Sequence, residues 1–424
     1  MKRALVFSGG GSRGAYEIGA WQALAGAGMR FQGVYGTSIG AINALLFAQG
    51  DLDAAVGVWE RLNPELVTGL PAEDSVTIDR MISRKRDLVP FLLDHAKQLM
   101  LDMKPLEELV RANVDESRVR ASGLALGLMT VRFPSLAPAP VRLTDIPHGR
   151  LIDFALASAA CFPVFAPRRI HGERYIDGGY SDNLPIDMAL RDGAQEILAV
   201  DVHPKATHPE YAGMPFLTII APREGLGGFL DFDPENLRRS RLLGYYDAMR
   251  TLGRMDGLRY AFLRQSDLNL QRPARRYVQA VASFDARAIA RASLSSQTPT
   301  APLIGALTAP APGQALSWKQ VYLRGLELAA ACMGYEELAA YDAEALTKRI
   351  LAQLGSGESA LPELGEKALQ ALAKQGDRAL LEYFSLYLKN GGGFDGAMLK
   401  FAAEHPAPAA AALYLVTAEG TTAQ

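Results

Sequence analysis

The chain has 424 residues, enough for two large domains or about three of ordinary size. It is 49% hydrophobic and 21% charged, which excludes a mainly disordered chain; 44 basic against 46 acidic residues argue against a dedicated nucleic-acid binder. Two cysteines, Cys161 and Cys332, are too few for a disulfide scaffold or a four-cysteine metal site and point to a reducing compartment.

In chain order, Ala4 to Ser8 reads as a buried strand, Ala15 to Ala27 as a helix, Phe31 to Tyr35 as a strand and Ile39 to Gln49 as a helix. Further strands are expected at Arg120 to Met129, Arg174 to Ile176, Ile197 to Val202 and Phe216 to Ile220, and a helix over residues 234–255. This alternation predicts an α/β sandwich with a largely parallel sheet. Residues 293–316, rich in Ser, Thr, Pro and Ala and nearly uncharged, read as a linker. Short helices then dominate, with Leu323, Leu326 and Ala330 on one face and Leu369, Leu372, Leu380, Phe384 and Leu388 on others. The expected division is therefore a domain over 1–292, a linker over 293–316 and an all-helical domain over 317–424. The basic start, Met1-Lys2-Arg3, precedes an apolar run too short for a secretory signal, and no run reaches about 18 apolar residues. A cytoplasmic chain able to touch the inner membrane surface is expected.

Three motifs carry the chemistry. Gly9-Gly10-Gly11-Ser12-Arg13-Gly14 follows the first strand and opens a helix. Its glycines let main chain approach a ligand, and the helix N-terminus offers free N–H groups to an anion. Gly9, Gly11 and Gly14 also fit a dinucleotide fingerprint. However, Gln32-Gly33-Val34-Tyr35-Gly36-Thr37 lacks the carboxylate that fingerprint needs, and no G-K-[ST] follows for a P-loop. Gly36-Thr37-Ser38-Ile39-Gly40 is G-x-S-x-G between strand and helix, a sharp turn that exposes a serine hydroxyl. Asp177-Gly178-Gly179 follows a short strand and places a carboxylate at its end. Around it lie Ala157-Ser158-Ala159-Ala160-Cys161-Phe162-Pro163 and Asp182-Asn183-Leu184-Pro185.

The ordered set G-G-G-x-R-G, G-x-S-x-G and D-G-G, with the two flanking blocks, resembles the bacterial patatin-like phospholipases over about residues 1–250. The resemblance implies a three-layer α/β/α fold, a Ser-Asp dyad without histidine, and hydrolysis of acyl esters of membrane lipids without metal or cofactor. It implies Ser38 as nucleophile and Asp177 as base. Gly9, Gly10, Gly11, Arg13 and Gly14 would form the oxyanion and substrate site, with Gly36 and Gly40 flanking the nucleophile and Gly178 and Gly179 supporting the dyad. The C-terminal helices lie outside the resemblance.

Serine needs a base as it attacks, and a carboxylate with pKa near 3.9 is a weak one unless burial raises it. Ser38, Asp177 and His203 also run in the order of an α/β-hydrolase triad, with His203 after a strand, so a triad is the rival arrangement. The acidic cluster Asp231-Phe232-Asp233-Pro234-Glu235 lacks the glycine and glutamate of a calcium loop. Over residues 88–110, Leu88, Leu92, Ala96, Leu99, Met103, Leu106 and Val110 form an apolar stripe, either a core-packed helix or a cover and acyl groove over Ser38. Arg84-Lys85-Arg86 and Arg168-Arg169 are candidate contacts for anionic head groups, or simply solvated. The expected partners are phospholipid or another acyl-ester lipid and a transient membrane surface. The C-terminal helices are candidates for a regulatory cap, a membrane-targeting element or a homo-oligomer contact. A phospholipase A or lysophospholipase is the leading function. A thioesterase or broad esterase, and a non-catalytic scaffold, are the alternatives.

Overall fold

The computed structural model describes residues 2–69, 100–294, 301–311, 315–354 and 365–422. The chain forms two compact units, Met1–Thr251 and Leu252–Gln424.

In the first unit, β1 (Arg3–Phe7), β2 (Gly33–Thr37), β3 (Ala125–Phe133), β4 (Val141–Arg142), β5 (Arg168–Ile170), β6 (Glu173–Asp177), β7 (Glu196–Val200) and β8 (Leu217–Ile220) share one sheet. The order is β5-β6-β3-β2-β1-β7-β8, with β4 beside β3. β1, β2, β3, β7 and β8 are parallel; β4, β5 and β6 run antiparallel to their neighbours. Both faces are buried, as a parallel sheet requires. On one face Ala4 and Val6 pack with Tyr35, Met188 and Ala189. On the other, Phe7 meets Phe47 with ring centroids 6.3 Å apart.

Among the described residues, helices α1 (Gly14–Gly26), α2 (Ile39–Gln49), α3 (Leu52–Arg61), α4 (Pro64–Thr68), α5 (Lys104–Asn113), α6 (Glu116–Ala121), α7 (Leu151–Ser158), α8 (Ile186–Arg191) and α9 (Pro234–Thr251) belong to the same unit. α8 contributes Ile186, Met188 and Ala189 to the first face, and α2 contributes Phe47 to the second, giving three layers. α1 and α9 approach closely at Gly19 and Gly244. A Cβ on Gly19 would stand 1.8 Å from the Arg241 carbonyl oxygen, and one on Gly244 would stand 1.9 Å from that of Tyr16.

The strand expected at Arg120 to Met129 begins later, because Glu116–Ala121 is helical. Asp115 caps that helix by accepting from the Ser117 and Arg118 amides, and Arg120 pairs with Glu116 one turn back. Residues 88–99, the first part of the apolar stripe, and Arg84-Lys85-Arg86 lie outside the described residues. Its second part is α5, which Pro105 opens.

The second unit contains β9 (Met255–Asp256), β10 (Ala261–Leu263), α10 (Asp267–Leu294), α11 (Pro302–Thr308), α12 (Trp318–Cys332), β11 (Ala340–Tyr341), α13 (Ala343–Leu354), α14 (Glu366–Ala373), α15 (Asp377–Lys389), α16 (Gly396–Glu404) and α17 (Pro406–Thr422). Its three short strands form a separate sheet in the order β11-β10-β9. The boundary thus falls at 251/252, not at 292/293. The reason is α10, whose Tyr277, Val281 and Phe284 are fully buried with Leu326, Phe384 and Leu415 of the helical core. The segment read as a linker also contains α11. Leu303 and Leu307 are buried there, and the Asp285 carboxylate accepts from the Leu303 and Ile304 amides.

Candidate active site

Register alone brings the two key side chains together. β3 is long enough to pair twice. Its first half runs parallel to β2, placing Met129 opposite Thr37. Its second half runs antiparallel to β6, placing the next residue, Thr130, opposite Asp177. The last residue of β6 therefore arrives beside the C-terminal end of β2, where Ser38 follows. β1 lies between β2 and β7, so strand order reverses there, a place where parallel sheets open a crevice.

Ser38 sits at φ 56°, ψ −126° before α2. That backbone region is costly for a residue with a side chain and persists only where the surroundings enforce it. The flanking glycines allow it. A Cβ on Gly36 would stand 2.2 Å from the Gly40 carbonyl oxygen, and one on Gly40 would stand 2.4 Å from that of Ser8. The Ser38 amide donates to Ser158 Oγ at 2.8 Å, and that hydroxyl donates to the Met129 carbonyl at 2.6 Å.

Ser38 Oγ donates to Asp177 Oδ2 at 2.6 Å. The other oxygen, Oδ1, accepts from the Gly179 amide at 2.7 Å. Asp177 is 5% exposed and Ser38 7%. Burial lifts the Asp177 carboxyl to about 6, against the lowering effect of its bonds from Ser38 and Gly179. A carboxylate so placed is ionised at neutral pH yet basic enough to take a hydroxyl proton. Gly178 lets the turn close on β3, since a Cβ there would stand 2.2 Å from the Met129 carbonyl oxygen. Neighbouring Cys161 stays a thiol, its pKa pushed up to about 12 by burial and by Asp177.

The glycine loop lies against the same serine: a Cβ on Gly9 would stand 3.0 Å from Ser38 Cβ. Most of its amides are committed. Gly9 donates to Asn183 O at 3.0 Å, Ser12 to Phe229 O at 2.9 Å, Arg13 to Gly10 O at 3.3 Å, and Gly14 to Gly11 O and Ser12 O. Among the described residues the Gly10 and Gly11 amides have no acceptor. Arg13 Nε donates to Gly227 O at 3.1 Å, and Gly14 packs on Ile39 and Trp59.

His203 lies near but faces elsewhere. Its Nδ1 is 2.9 Å from Asp201 Oδ1 and its Nε2 is 2.8 Å from Asn183 Nδ2. An Nδ1–H tautomer satisfies both contacts, with Asn183 donating to Nε2. Ser38 Oγ bonds to Asp177, not to this ring.

An apolar recess, partly open to solvent, reaches Ser38 and Gly11. Ile42, Trp59, Leu106, Val110, Phe165 and Phe229 are among its walls. α5 thus places the stripe residues Leu106 and Val110 against this cavity. Sequence reasoning missed Ser158, Asn183, Trp59 and Phe229. Ser158 and Asn183 stood inside the flanking motif blocks, which was a usable signal. Trp59 depends on a buried chain of bonds: its Nε1 donates to Asn43 Oδ1 at 3.0 Å, and Asn43 Nδ2 donates to Glu17 at 2.8 Å. Glu17 is fully buried, and burial raises its carboxyl well above the usual range.

Residues 5–190 match the family model described as patatin-like phospholipase, a span that holds both Ser38 and Asp177. The chain carries a patatin-like phospholipase domain. It is similar to patatin-like phospholipase domain-containing protein 5 of Homo sapiens, 28% identical over 277 residues, covering 59% of this chain and 56% of that one. It is also similar to protein 7 of the same name series from Rattus norvegicus, 26% identical over 201 residues, covering 47% of this chain and 13% of that one. The chain thus spans between 13% and 56% of the length of these relatives. VipD from Legionella pneumophila aligns over 98% of this chain and 90% of its own, with 13% identity and TM-score 0.36. ExoU, solved with SpcU from the type III secretion system of Pseudomonas aeruginosa, aligns over 96% and 89%, with 14% identity and TM-score 0.33. Outside the patatin-like domain, no helix among the described residues is long and apolar enough to cross a membrane, and the same holds within it.

Proposed function

We propose that the protein is a serine acyl hydrolase of phospholipase A or lysophospholipase type. The observation that carries this reading is the 2.6 Å bond between two buried groups, Ser38 Oγ and Asp177 Oδ2, with Ser38 in the wall of an apolar recess. A fatty-acyl chain in that cavity brings its ester carbonyl to Ser38. Oγ bonds to the carbonyl carbon as Asp177 takes the hydroxyl proton. The oxygen that becomes negative is met by the Gly10 and Gly11 amides, since the Ser38, Gly9 and Ser12 amides are bonded elsewhere. The ester C–O bond breaks, and the leaving alcohol takes the proton from Asp177. Water then attacks the acyl-serine, gives a proton to Asp177 and releases the fatty acid, and the proton returns to Ser38 Oγ. His203 takes no part, so His203→Gln retains most activity.

A fluorophosphonate probe tests the reading. Wild type is expected to label, and Ser38→Ala is expected not to label. Lipid mass spectrometry after incubation with a mixed bacterial lipid extract should show free fatty acid and lysolipid with wild type and neither with Asp177→Asn. A wild type that neither labels nor releases fatty acid sinks the proposal.

A further inference from the structure

Beside the apolar cavity lies a second, polar cleft, lined among others by Lys104, Glu107, Arg150, Asp153, Arg168 and Arg169. The two recesses share walls. On α5, Leu106 and Val110 face the cavity while Lys104 and Glu107 face the cleft. Along the chain before and into β5, Phe165 faces the cavity while Ala166 to Arg169 face the cleft. The linings of the two recesses are therefore one residue apart at Leu106 and Glu107 and again at Phe165 and Ala166.

The charges of this wall do not cancel. Asp153 accepts from Arg111 at 2.8 Å, Arg150 at 2.9 Å and Arg168 at 3.2 Å. Glu107 takes Arg111 and Arg168, each at 2.8 Å. Three guanidinium groups thus surround two carboxylates. Asp102 accepts the Lys104 amide at 2.9 Å and adds a third negative charge. Lys104 and Arg169 are exposed, and among the described residues neither side chain has a partner. The lining alone sets four cations against three carboxylates, a surplus of one, and Arg111, which pairs with Glu107 and Asp153 from outside the lining, raises it to two.

We propose that this cleft binds the phosphate of an anionic lipid head group, with Lys104 and Arg169 as its cations. The inference rests on the acyl-hydrolase reading and narrows its substrate to anionic glycerophospholipid. An esterified phosphate supplies the negative charge that the paired arginines leave unanswered, and a guanidinium matches two phosphate oxygens at once. A neutral acylglycerol places nothing there.

The test uses the full chain with Ser38→Ala, so that vesicles are not consumed. Its partition onto phosphatidylcholine vesicles with and without phosphatidylglycerol is measured by co-sedimentation, and Lys104→Gln/Arg169→Gln is added to the same background. At about 1 kcal/mol per basic residue near an anionic surface, removing two should weaken binding to the phosphatidylglycerol vesicles about 30-fold. Binding to pure phosphatidylcholine, whose surface has no net charge, should fall much less. Lys104→Glu/Arg169→Glu should fall further, and unchanged melting midpoints check that both variants fold. Equal partition of parent and variants overturns the proposal. So does titration with inorganic phosphate that gives Lys104- and Arg169-dependent heat while the two vesicle types bind alike, which marks a free-anion site. Because the readout is binding, a wild type that fails to label with fluorophosphonate while the variants lose vesicle binding sinks the hydrolase reading and leaves the cleft standing.

Discussion

Asp177 carries opposite demands. Buried and lifted to about 6, it favours the folded chain while protonated, relative to an unfolded carboxyl near 4. That contribution is complete below about pH 4 and is lost as pH rises through about 6. The difference is worth about 3 kcal/mol, so above pH 6 the ionised carboxylate costs the fold roughly that much. Asp177→Asn removes the charge and keeps an acceptor for the Gly179 amide. It should therefore melt several degrees above wild type at pH 8 and match it at pH 4, read by differential scanning calorimetry. Lower melting at both pH values would show that the carboxylate supports the fold. Activity runs the other way, because the base must be ionised. We expect kcat/KM on a soluble ester to fall about tenfold per pH unit below pH 6 and to level off above it. A profile flat from pH 5 to 8 would remove Asp177 as the base.

The elements show what could be read in advance and what could not. α2 appears with the expected limits because Ser38 breaks the strand before it and Gly50, at φ 77°, ends it. Gly36, Ser38 and Gly40 were legible as a unit for the same reason: the turn admits little else. Gly40→Ala tests that claim. Its Cβ meets the main-chain oxygens of Ser8 and Phe7 at 2.4 and 2.7 Å, so β1 and α2 must separate. A displacement near 1 Å at the reacting group should slow fluorophosphonate labelling about 100-fold, while circular dichroism at 20–25 °C remains that of a folded chain. Labelling at the wild-type rate would mean that the turn tolerates the methyl group. Ser158 and Asn183 were visible only as letters in a block. Their roles depend on Met129, Gly9 and Ser38 arriving from elsewhere in the sheet. The end of α6 is not legible because Arg120 lies just ahead of the apolar run Leu124 to Met129, while its side chain donates to the Leu143 and Ile146 carbonyls.

On the scale of the whole molecule, composition misplaced the boundary because charge density does not report which core a helix serves. α10 carries enough arginine to resemble the end of the first unit, and α11 is too poor in charge to resemble a surface helix. Both bury apolar side chains in the second core. That core also holds a charge pair that sequence spacing did not single out. Arg324 and Glu327 are 4% and 1% exposed and bond to each other on α12. Glu327 Oε1 also accepts the amides of Leu258 at 2.6 Å and Arg259 at 3.0 Å, and Arg324 Nε donates to the Leu307 carbonyl at 3.1 Å. One pair thus ties the turn before β10, α11 and α12 together. Removing one member strands the other charge in an apolar interior, which typically costs about 3–5 kcal/mol. Arg324→Met should lower a calorimetric transition by several degrees, whereas Arg324→Met/Glu327→Gln, which leaves no uncompensated charge, should recover part of the loss. Ser38, Asp177 and the glycine loop all lie in Met1–Thr251, a unit with its own core. Fluorophosphonate labelling of Arg324→Met below its melting transition should therefore proceed at the wild-type rate. Loss of labelling in a folded Arg324→Met protein would show that the helical unit controls the serine.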